Sequence, residues 1–326
     1  MQKSKLFLSK KNPLNINHDE CEKFYLSYLL PNYWFSWVII ILSFPISFIP
    51  RFFRAFLGKM LGLFIYHTNT KRRSIACTNI KLCFPDMQQY EINNLVVSYF
   101  IHLGQTIFDF PLLWWRTNQS LQSTCQIVNS HIIDEHLQKN KGVILLTPHS
   151  ISLDFGGRSI SKYPIISMYK PFRNRLLNWF IGKSRSKSSD NVVVFPRENF
   201  PFKRIIKALK KPNIFYYVGD EDLGSKNSTF SNFFSEQKST IITIAKIASL
   251  SKAVVIPCIN HYSVKENKYI TYIGEPLKDF PSDNDLANAR KINESLELLI
   301  QRDLTQYMWS LRIFQTRPDG IDYPYK

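Results

Sequence analysis

A histidine at the exit of an apolar strand is the first candidate for chemistry in this chain. In the run VILLTPHSISLD, His149 follows Pro148, and Asp154 comes five residues later. On one continuous helix such a pair would lie about 140° apart, so the two side chains can meet only if His149 occupies a turn. A carboxylate on one imidazole nitrogen leaves the other free as a general base near neutral pH. We therefore predict His149 and Asp154 as a catalytic pair.

The spacing of histidine and acid is by itself a weak pattern. His261 and Glu266 repeat it in HYSVKENKY, which is typical of a polar hairpin turn. A histidine that merely caps or fills a loop is therefore the alternative for His149. HIIDEH at 131–136 has no third ligand at a known metal spacing, so a solvated helix face is favoured there. We expect neither a metal nor another cofactor.

A dense run of cations follows the candidate base. No acid occurs between residues 155 and 189, where the cations are Arg158, Lys162, Lys170, Arg173, Arg175, Lys183, Arg185 and Lys187. Arginine grips phosphate or carboxylate bidentately and lysine acts as a point charge, so this composition favours an anionic substrate. A solvated basic face is the alternative for any single member. The predicted substrate-binding residues among them are Arg158, Lys170, Arg173, Arg175, Lys183 and Arg185.

An acidic turn, GDEDLG at 219–224, follows the apolar run NIFYYV in this otherwise basic chain. Its three carboxylates could pair with the arginines, shape a substrate groove, or simply form an acidic turn. We favour the first of these and expect Asp222 to organise the substrate-binding arginines.

Short apolar runs alternate with helical segments from about residue 140 onward. Apolar runs of four to eight residues bounded by Pro, Gly, Asn or Asp predict strands. The segments 202–211, 239–251 and 282–314 have helical spacing. This alternation predicts an α/β fold with a mixed, largely parallel central sheet flanked by helices. In such sheets reactive residues lie just past the carboxyl ends of the strands, as His149 would.

The N-terminal part of the chain is suited to a membrane. Residues 24–50 carry no formal charge, and their length is near the roughly 20 residues that cross a bilayer. Pro31 and Pro45 interrupt the segment, so spanning and embedding both remain open. Residues 51–73 alternate cations with large apolar side chains, as an interfacial helix does; a helix packed on its own domain is the alternative.

Composition indicates the kind of binding partner and leaves several classes of protein without support. Forty-two Lys and Arg against 25 Asp and Glu give a formal charge of +17, which favours anionic partners. The five cysteines form no C-x-x-C pair, which argues against a disulfide framework or a zinc ribbon. The 11 glycines form no dinucleotide, P-loop or nucleophile-elbow motif, so those classes lack support.

Seven blocks in order resemble the late acyltransferases of lipid A biosynthesis. They are LLPNYWFSW, KRRSIACTNIKLCFPD, HSISLDFGGR, YKPFRNRLLNW, RIIKALKK, GDEDLG and QYMWSLRIFQTRPDG. The resemblance covers nearly the whole chain, from about Leu29 to Gly320. Two departures stand out: Asp154 replaces the glutamate that this family often has, and Lys183 replaces a usual arginine, so Arg185 is weighted above Lys183.

The resemblance implies a glycerolipid-acyltransferase-like fold with an N-terminal membrane-anchoring helix at the cytoplasmic face of the inner membrane. It implies acyl carrier protein as donor, a hydroxyl of a phosphorylated, Kdo-bearing lipid A precursor as acceptor, contact with membrane lipids and no nucleic acid. The corresponding divisions are a polar tail at 1–23, an anchor and interfacial helix at 24–73, and an acyltransferase domain at 74–326. Two alternatives stay open: an acyltransferase for another anionic glycolipid, such as a phosphatidylinositol mannoside, and a non-catalytic basic protein bound to the membrane.

Overall fold

The protein is built on a seven-stranded sheet with a separate hairpin. The computed structural model describes residues 23–186, 191–197 and 200–325, so the polar tail predicted at 1–23 lies almost wholly outside the described residues. The strands are β1 (Cys125–Val128), β2 (Val143–Thr147), β3 (Ile165–Tyr169), β4 (Val192–Pro196), β5 (Ile214–Val218), β6 (Ser228–Phe233), β7 (Glu236–Ile241), β8 (Val254–Ser263) and β9 (Lys268–Ile273).

The sheet order is β1-β9-β8-β2-β5-β3-β4, and β6 pairs with β7 as an antiparallel hairpin. Strands β8, β2, β5, β3 and β4 are parallel to one another. Strand β9 is antiparallel to β8, and β1 is parallel to β9. The predicted mixed, largely parallel sheet is therefore confirmed.

Helices cover both faces of this sheet. They are α1 (Trp34–Ile46), α2 (Arg51–Thr68), α3 (Thr70–Cys83), α4 (Gln89–Trp115), α5 (Asn118–Gln122), α6 (Ser130–Gln138), α7 (Leu153–Ser159), α8 (Arg175–Ser186), α9 (Phe202–Leu209), α10 (Thr243–Ser251) and α11 (Asp285–Ile300). Every residue of β2 is buried, as expected for a parallel strand covered on both sides. Ile144 and Leu146 pack in the cluster that holds α3, α9, α10 and α11, whereas Val143 and Leu145 face α6.

The segment expected to anchor the protein forms two short 3-10 turns and helix α1. At 1.5 Å per residue, the 13 residues of α1 extend about 20 Å, short of the roughly 30 Å hydrocarbon core. The large side chains Trp34, Phe35 and Ile41 are exposed. Helix α1 is thus suited to embed in a membrane rather than to cross it alone.

Within the described residues, α4 alone is long and apolar enough to cross a membrane by length and composition. It nevertheless packs closely on α2, because glycines bring the two backbones together. A Cβ at Gly104 would lie 2.2 Å from the carbonyl oxygen of Gly58, so no larger residue fits that crossing. Asp109 of α4 is fully buried and paired with Arg51 and Arg54 of α2, which fixes the start of α2 on α4.

Candidate active site

The imidazole of His149 is held by a buried carboxylate, Asp220. Nδ1 of His149 lies 2.6 Å from Oδ1 of Asp220, and the backbone N–H of His149 donates to Oδ2 at 3.0 Å. Because an ionised carboxylate only accepts, Nδ1 carries the proton in this pair when the imidazole is neutral. Nε2 has no hydrogen-bond partner among the described residues and is the nitrogen available to a substrate.

Strand register explains this pairing. In the parallel pair β2·β5, Thr147 lies opposite Val218. Two residues further along each strand, at the same carboxyl edge, come His149 and Asp220. The side chains therefore meet because the two strands are neighbours, although 71 residues separate them in the chain. Gly219 N–H also donates to the carbonyl of Thr147, which extends the register to the strand ends.

The residues that follow α11, 301–316, form a C-terminal segment that holds both His149 and Asp220 in place. The Tyr307 hydroxyl donates to Oδ2 of Asp220 at 2.7 Å, and Met308 N–H donates to the carbonyl of His149 at 2.8 Å. Ile151 N–H donates to the carbonyl of Gln306 at 3.0 Å, on the other side of the turn. The turn that carries His149 is thus fixed by backbone hydrogen bonds as well as by the carboxylate.

The electrostatics of the pair favour its charged form. Burial lowers the pKa of His149, but the charge and hydrogen bond of Asp220 outweigh burial, so the pKa is raised above its ordinary value. Burial raises the pKa of Asp220, but His149 and the Tyr307 hydroxyl outweigh it, so that pKa is lowered. The side chain of His149 is 20% exposed and that of Asp220 is 0% exposed, so only the histidine is open to a substrate.

The predicted partner of His149, Asp154, has a different contact, and the expected His149–Asp154 hydrogen bond is wrong. Asp154 lies in the first turn of α7 and accepts from Nε and Nη2 of Arg185 at 2.8–3.1 Å. The C-terminal segment holds the turn that carries His149, and α7 begins only after this turn, at Leu153. Asp154 therefore contacts α8 instead of the imidazole. The catalytic role predicted for Asp154 stays a prediction.

An apolar cavity lies beside the Asp154–Arg185 pair, and both of these side chains line it. Its walls come from β3, β4 and β5, helices α7 and α8, and the end of α4, with Leu113, Val194 and Tyr216 among the lining residues. Sites for small apolar ligands are lined mostly by hydrophobic and aromatic side chains, with a few polar groups that orient the ligand. The lining of this cavity is suited to an aliphatic chain.

A groove continues from this cavity to the histidine. Leu153, Tyr169 and Tyr216 line both spaces, and so does Arg185, so the Asp154–Arg185 pair lies where they join. His149 lines the groove only. A chain held in the cavity can therefore present its head group to the imidazole across the Arg185 side chain.

The predicted cations are distributed over three environments. Lys170 is exposed and lines the groove, whereas Arg158 lines the apolar cavity and donates to the carbonyl of Ser184 at 3.3 Å. Three others are exposed and line neither space: Arg173, Arg175 and Lys183. Nζ of Lys183 stands 5.4 Å from the ring centre of Trp179. Lys187 lies outside the described residues.

Asp222 does not organise these arginines, and that prediction is wrong. It is buried, and its carboxylate accepts from the backbone N–H and the hydroxyl of Thr316, both at 2.7 Å. The side-chain amide of Gln315 donates to its carbonyl at 2.7 Å. Asp222 therefore ties the acidic turn to the C-terminal segment. Its neighbour Glu221 is the residue that pairs with an arginine, Arg197, at 2.6 Å.

The sequence matches a known protein family over most of its length. Residues 21–316 match the family model described as bacterial lipid A biosynthesis acyltransferase. The chain belongs to this family. The match spans the groove, the His149–Asp220 pair and the C-terminal segment that braces them. This membership favours lipid A acyl transfer over the two alternatives left open, a mannoside acyltransferase and a non-catalytic basic protein.

Relatives cover almost the full length of this lipid A acyltransferase family member. A lipid A biosynthesis acyltransferase of Haemophilus influenzae is 32% identical over 91% of this chain and 92% of its own length. The lipid A biosynthesis lauroyltransferase of Escherichia coli is 29% identical over 93% and 98%, and the myristoyltransferase 26% over 98% and 97%. The crystal structure of a 1-acyl-sn-glycerophosphate acyltransferase from Thermotoga maritima aligns with 77% of this chain and 95% of its own at 15% identity, with a TM-score of 0.33.

Sequence patterns do not single out two residues of this site, Asp220 and Tyr307. Asp220 lies within the acidic turn GDEDLG, and Tyr307 lies within the C-terminal block QYMWSLRIFQTRPDG. The available signal was position: Asp220 follows an apolar strand by two residues, as His149 does. Using it would have required knowing that β2 and β5 are neighbours, which the order of strands along the chain does not reveal.

Proposed function

We propose that this enzyme transfers a fatty acyl chain from acyl carrier protein to a hydroxyl of a phosphorylated, Kdo-bearing lipid A precursor, with His149 as general base. The observation that carries the proposal is the His149–Asp220 pair in a groove continuous with an apolar cavity. Family membership supplies the reaction class and the lipid A context. The donor and the acceptor are the proposed part.

In the proposed mechanism one proton moves twice. Nε2 of His149 takes the proton of the acceptor hydroxyl as its oxygen attacks the thioester carbonyl. The tetrahedral adduct then collapses, the carbon–sulfur bond breaks, and the protonated imidazole returns the proton to the leaving thiolate. Asp220 holds Nδ1–H and stabilises the imidazolium between these two steps. A thioester is already activated, so positioning accounts for much of the remaining rate.

The apolar cavity is the proposed place of the donor chain. Its lining is mostly aliphatic and aromatic, and its depth follows the strands from the carboxyl edge downward, from Tyr169 to Ile165 on β3 and from Val194 to Val192 on β4. An acyl chain inserted this way would leave its thioester near Arg185, at the junction with the groove. The depth of the cavity would then set the preferred chain length.

The anionic acceptor is proposed to lie along the groove. Lys170 lines the groove, and Arg173 and Arg175 are exposed just beyond Phe172, which also lines it. Guanidinium and ammonium groups in or beside the groove can hold phosphate or carboxylate groups of a sugar lipid. We propose that the site lies at the cytoplasmic face of the inner membrane, with the exposed apolar side chains of α1 and α2 in the lipid.

The test is acyl transfer by purified protein from a carrier-bound acyl thioester to the lipid A precursor, followed by mass spectrometry. The wild type is expected to add one acyl group. His149→Ala should lower turnover by about 10²- to 10⁴-fold, the usual range for a general base. His131→Ala, at an exposed position on α6, is the matched control and should transfer normally. A folded His149→Ala variant with wild-type turnover would remove His149 from the mechanism.

A further inference from the structure

Helix α9 and the two residues after it present a row of cations to solvent. The exposed cations are Lys203, Arg204, Lys207, Lys210 and Lys211. The apolar residues Ile205, Ala208 and Leu209 are buried against the core on the opposite side of the helix. No acidic residue occurs anywhere from Phe200 to Gly219. One face of α9 is therefore purely cationic.

Among the residues that the structure describes, these cations have no counter-charge. Within the described part of the chain, none of their side chains forms a hydrogen bond or an ion pair. On α11, by contrast, Arg290 pairs with both Glu294 and Glu297. An unpaired row of this kind points to a partner outside the chain.

The arrangement also works against the helix itself. Lys203 and Lys207 stand four residues apart on α9, and like charges at this spacing on a helix repel. Lys203 and Arg204 lie in the first turn, where the helix dipole favours anions. An anionic partner bound to this face would remove both unfavourable interactions.

A comparison with α2 decides which kind of anionic partner fits. Helix α2 combines cations with exposed large apolar side chains, including Phe52, Phe56 and Phe64, as a helix at a lipid surface does. On α9, Phe202 and Ile206 are at least partly buried against the core, so no large apolar side chain projects among the cations. A hydrated acidic protein surface matches such a face better than a bilayer.

The position of α9 connects this face to the reaction. Arg197 and Phe200 line the groove that contains His149, and α9 starts two residues after Phe200. The rings of Phe200 and Phe202 are 6.2 Å apart, so the first turn of α9 continues the rim of the groove. A protein docked on α9 could direct a flexible thioester arm past Phe200 toward the base.

We propose that the cationic face of α9, formed by Lys203, Arg204, Lys207, Lys210 and Lys211, is the docking surface for the acidic carrier protein that delivers the acyl chain. The inference rests on the proposed function, which names this carrier as donor. The docking energy would be largely electrostatic, so raised ionic strength should increase the KM for the carrier-bound donor.

The experiment compares two donors and two double variants. Lys203→Glu/Lys207→Glu reverses the charge on α9, and Lys139→Glu/Lys141→Glu makes the same change at exposed positions after α6 on the other face of the sheet. Each protein is assayed with the acyl chain on carrier protein and with the same chain on pantetheine alone. The α9 variant should show a KM for the carrier-bound donor raised about tenfold, as expected for reversed charges at an interface. Its turnover of the pantetheine donor should equal that of the wild type.

Three other results would contradict either the docking surface or the proposed function. Equal KM values for the α9 variant and the α6 control with the carrier-bound donor would overturn the docking surface. Binding to anionic phospholipid vesicles that is lost in the α9 variant, with the KM for the carrier-bound donor unchanged, would assign the face to the membrane and overturn it as well. Failure of the wild type with both donors would instead refute the proposed function, which separates the two ideas.

Discussion

Two carboxylates at the same edge of the sheet have opposite surroundings. Asp220 is fully buried and holds the imidazole of His149, whereas the Asp154 side chain is 38% exposed and binds Arg185 through both of its oxygens. Burial strengthens the interaction of a charge with its partner, because little water screens it. The buried carboxylate is therefore placed to set the protonation of the base, and the exposed one to position an arginine.

The comparison also separates the residues that act on His149 from those at the junction of the groove and the cavity. The charges that shift the pKa of His149 are those of Asp220, Glu221 and Lys238. Asp154 and Arg185 instead stand where the groove meets the apolar cavity. We propose that the acid–base function and the positioning of the acyl chain depend on different carboxylates, and this division can be tested.

Asp220→Asn should have the largest effect. An asparagine keeps the shape, but it no longer requires a proton on Nδ1, and it cannot stabilise the imidazolium. We expect kcat to fall by about 10³-fold or more. The measurement is acyl transfer from the carrier-bound donor. Asp222→Asn, a buried neighbour that binds Thr316, should lower the melting temperature while folded molecules keep their rate.

The pH profile of Asp220→Asn tests whether Asp220 sets the pKa of His149. A general base works when neutral, so wild-type transfer should rise with pH through the raised pKa of His149. Removing the charge of Asp220 leaves burial, which lowers that pKa, so the acidic limb of the profile should move to lower pH. If the acidic limb does not move, Asp220 does not set the pKa of His149.

Asp154→Asn and Arg185→Lys should have intermediate effects. Each removes the bidentate contact between carboxylate and guanidinium, so the junction of groove and cavity loses its fixed geometry. We expect transfer to fall by about tenfold, through misplacement of the acyl chain. The acidic limb of the pH profile should not move. If Asp154→Asn shifts that limb as Asp220→Asn does, the pairing of His149 with Asp154 predicted from sequence is restored for the working enzyme.

Tyr307→Phe should have the smallest effect. It removes one donor to Asp220 but leaves the two contacts with His149 intact. A single lost hydrogen bond of this kind costs about 1–3 kcal/mol of folding stability. Chemical denaturation should detect that loss, while kcat falls less than in the other variants. A larger fall in kcat than in Arg185→Lys would make Tyr307 a principal positioning residue.

Much of the fold could be predicted from local patterns. The runs VILLT and IFYYV became β2 and β5 because apolar stretches bounded by turn residues form buried strands. The helix predicted at 202–211 is α9, and His149 does lie just past a strand end. Each of these features depends on neighbouring residues, so a single sequence carries enough information.

Long-range pairings could not be predicted in the same way. The predicted closing helix at 282–314 ends at Ile300, and the residues after it turn back to brace His149 and Asp222. The apolar segment 24–50 indicated lipid contact, but its division into short 3-10 turns and a 13-residue α1 depended on packing against α4 and α8. Contacts of this kind leave no regular spacing in the sequence.

The sequence alone determined the class of fold, the family, the candidate base and the cationic character of the surface around it. Seven sequence blocks indicated the family by resemblance. Local composition and spacing were sufficient for the other three features, because strands, turns and charge depend on adjacent residues. The tertiary structure alone decided that Asp220 rather than Asp154 holds His149, since that choice depends on β5 lying beside β2. Two short strands from distant parts of the chain meet only when the whole sheet is formed.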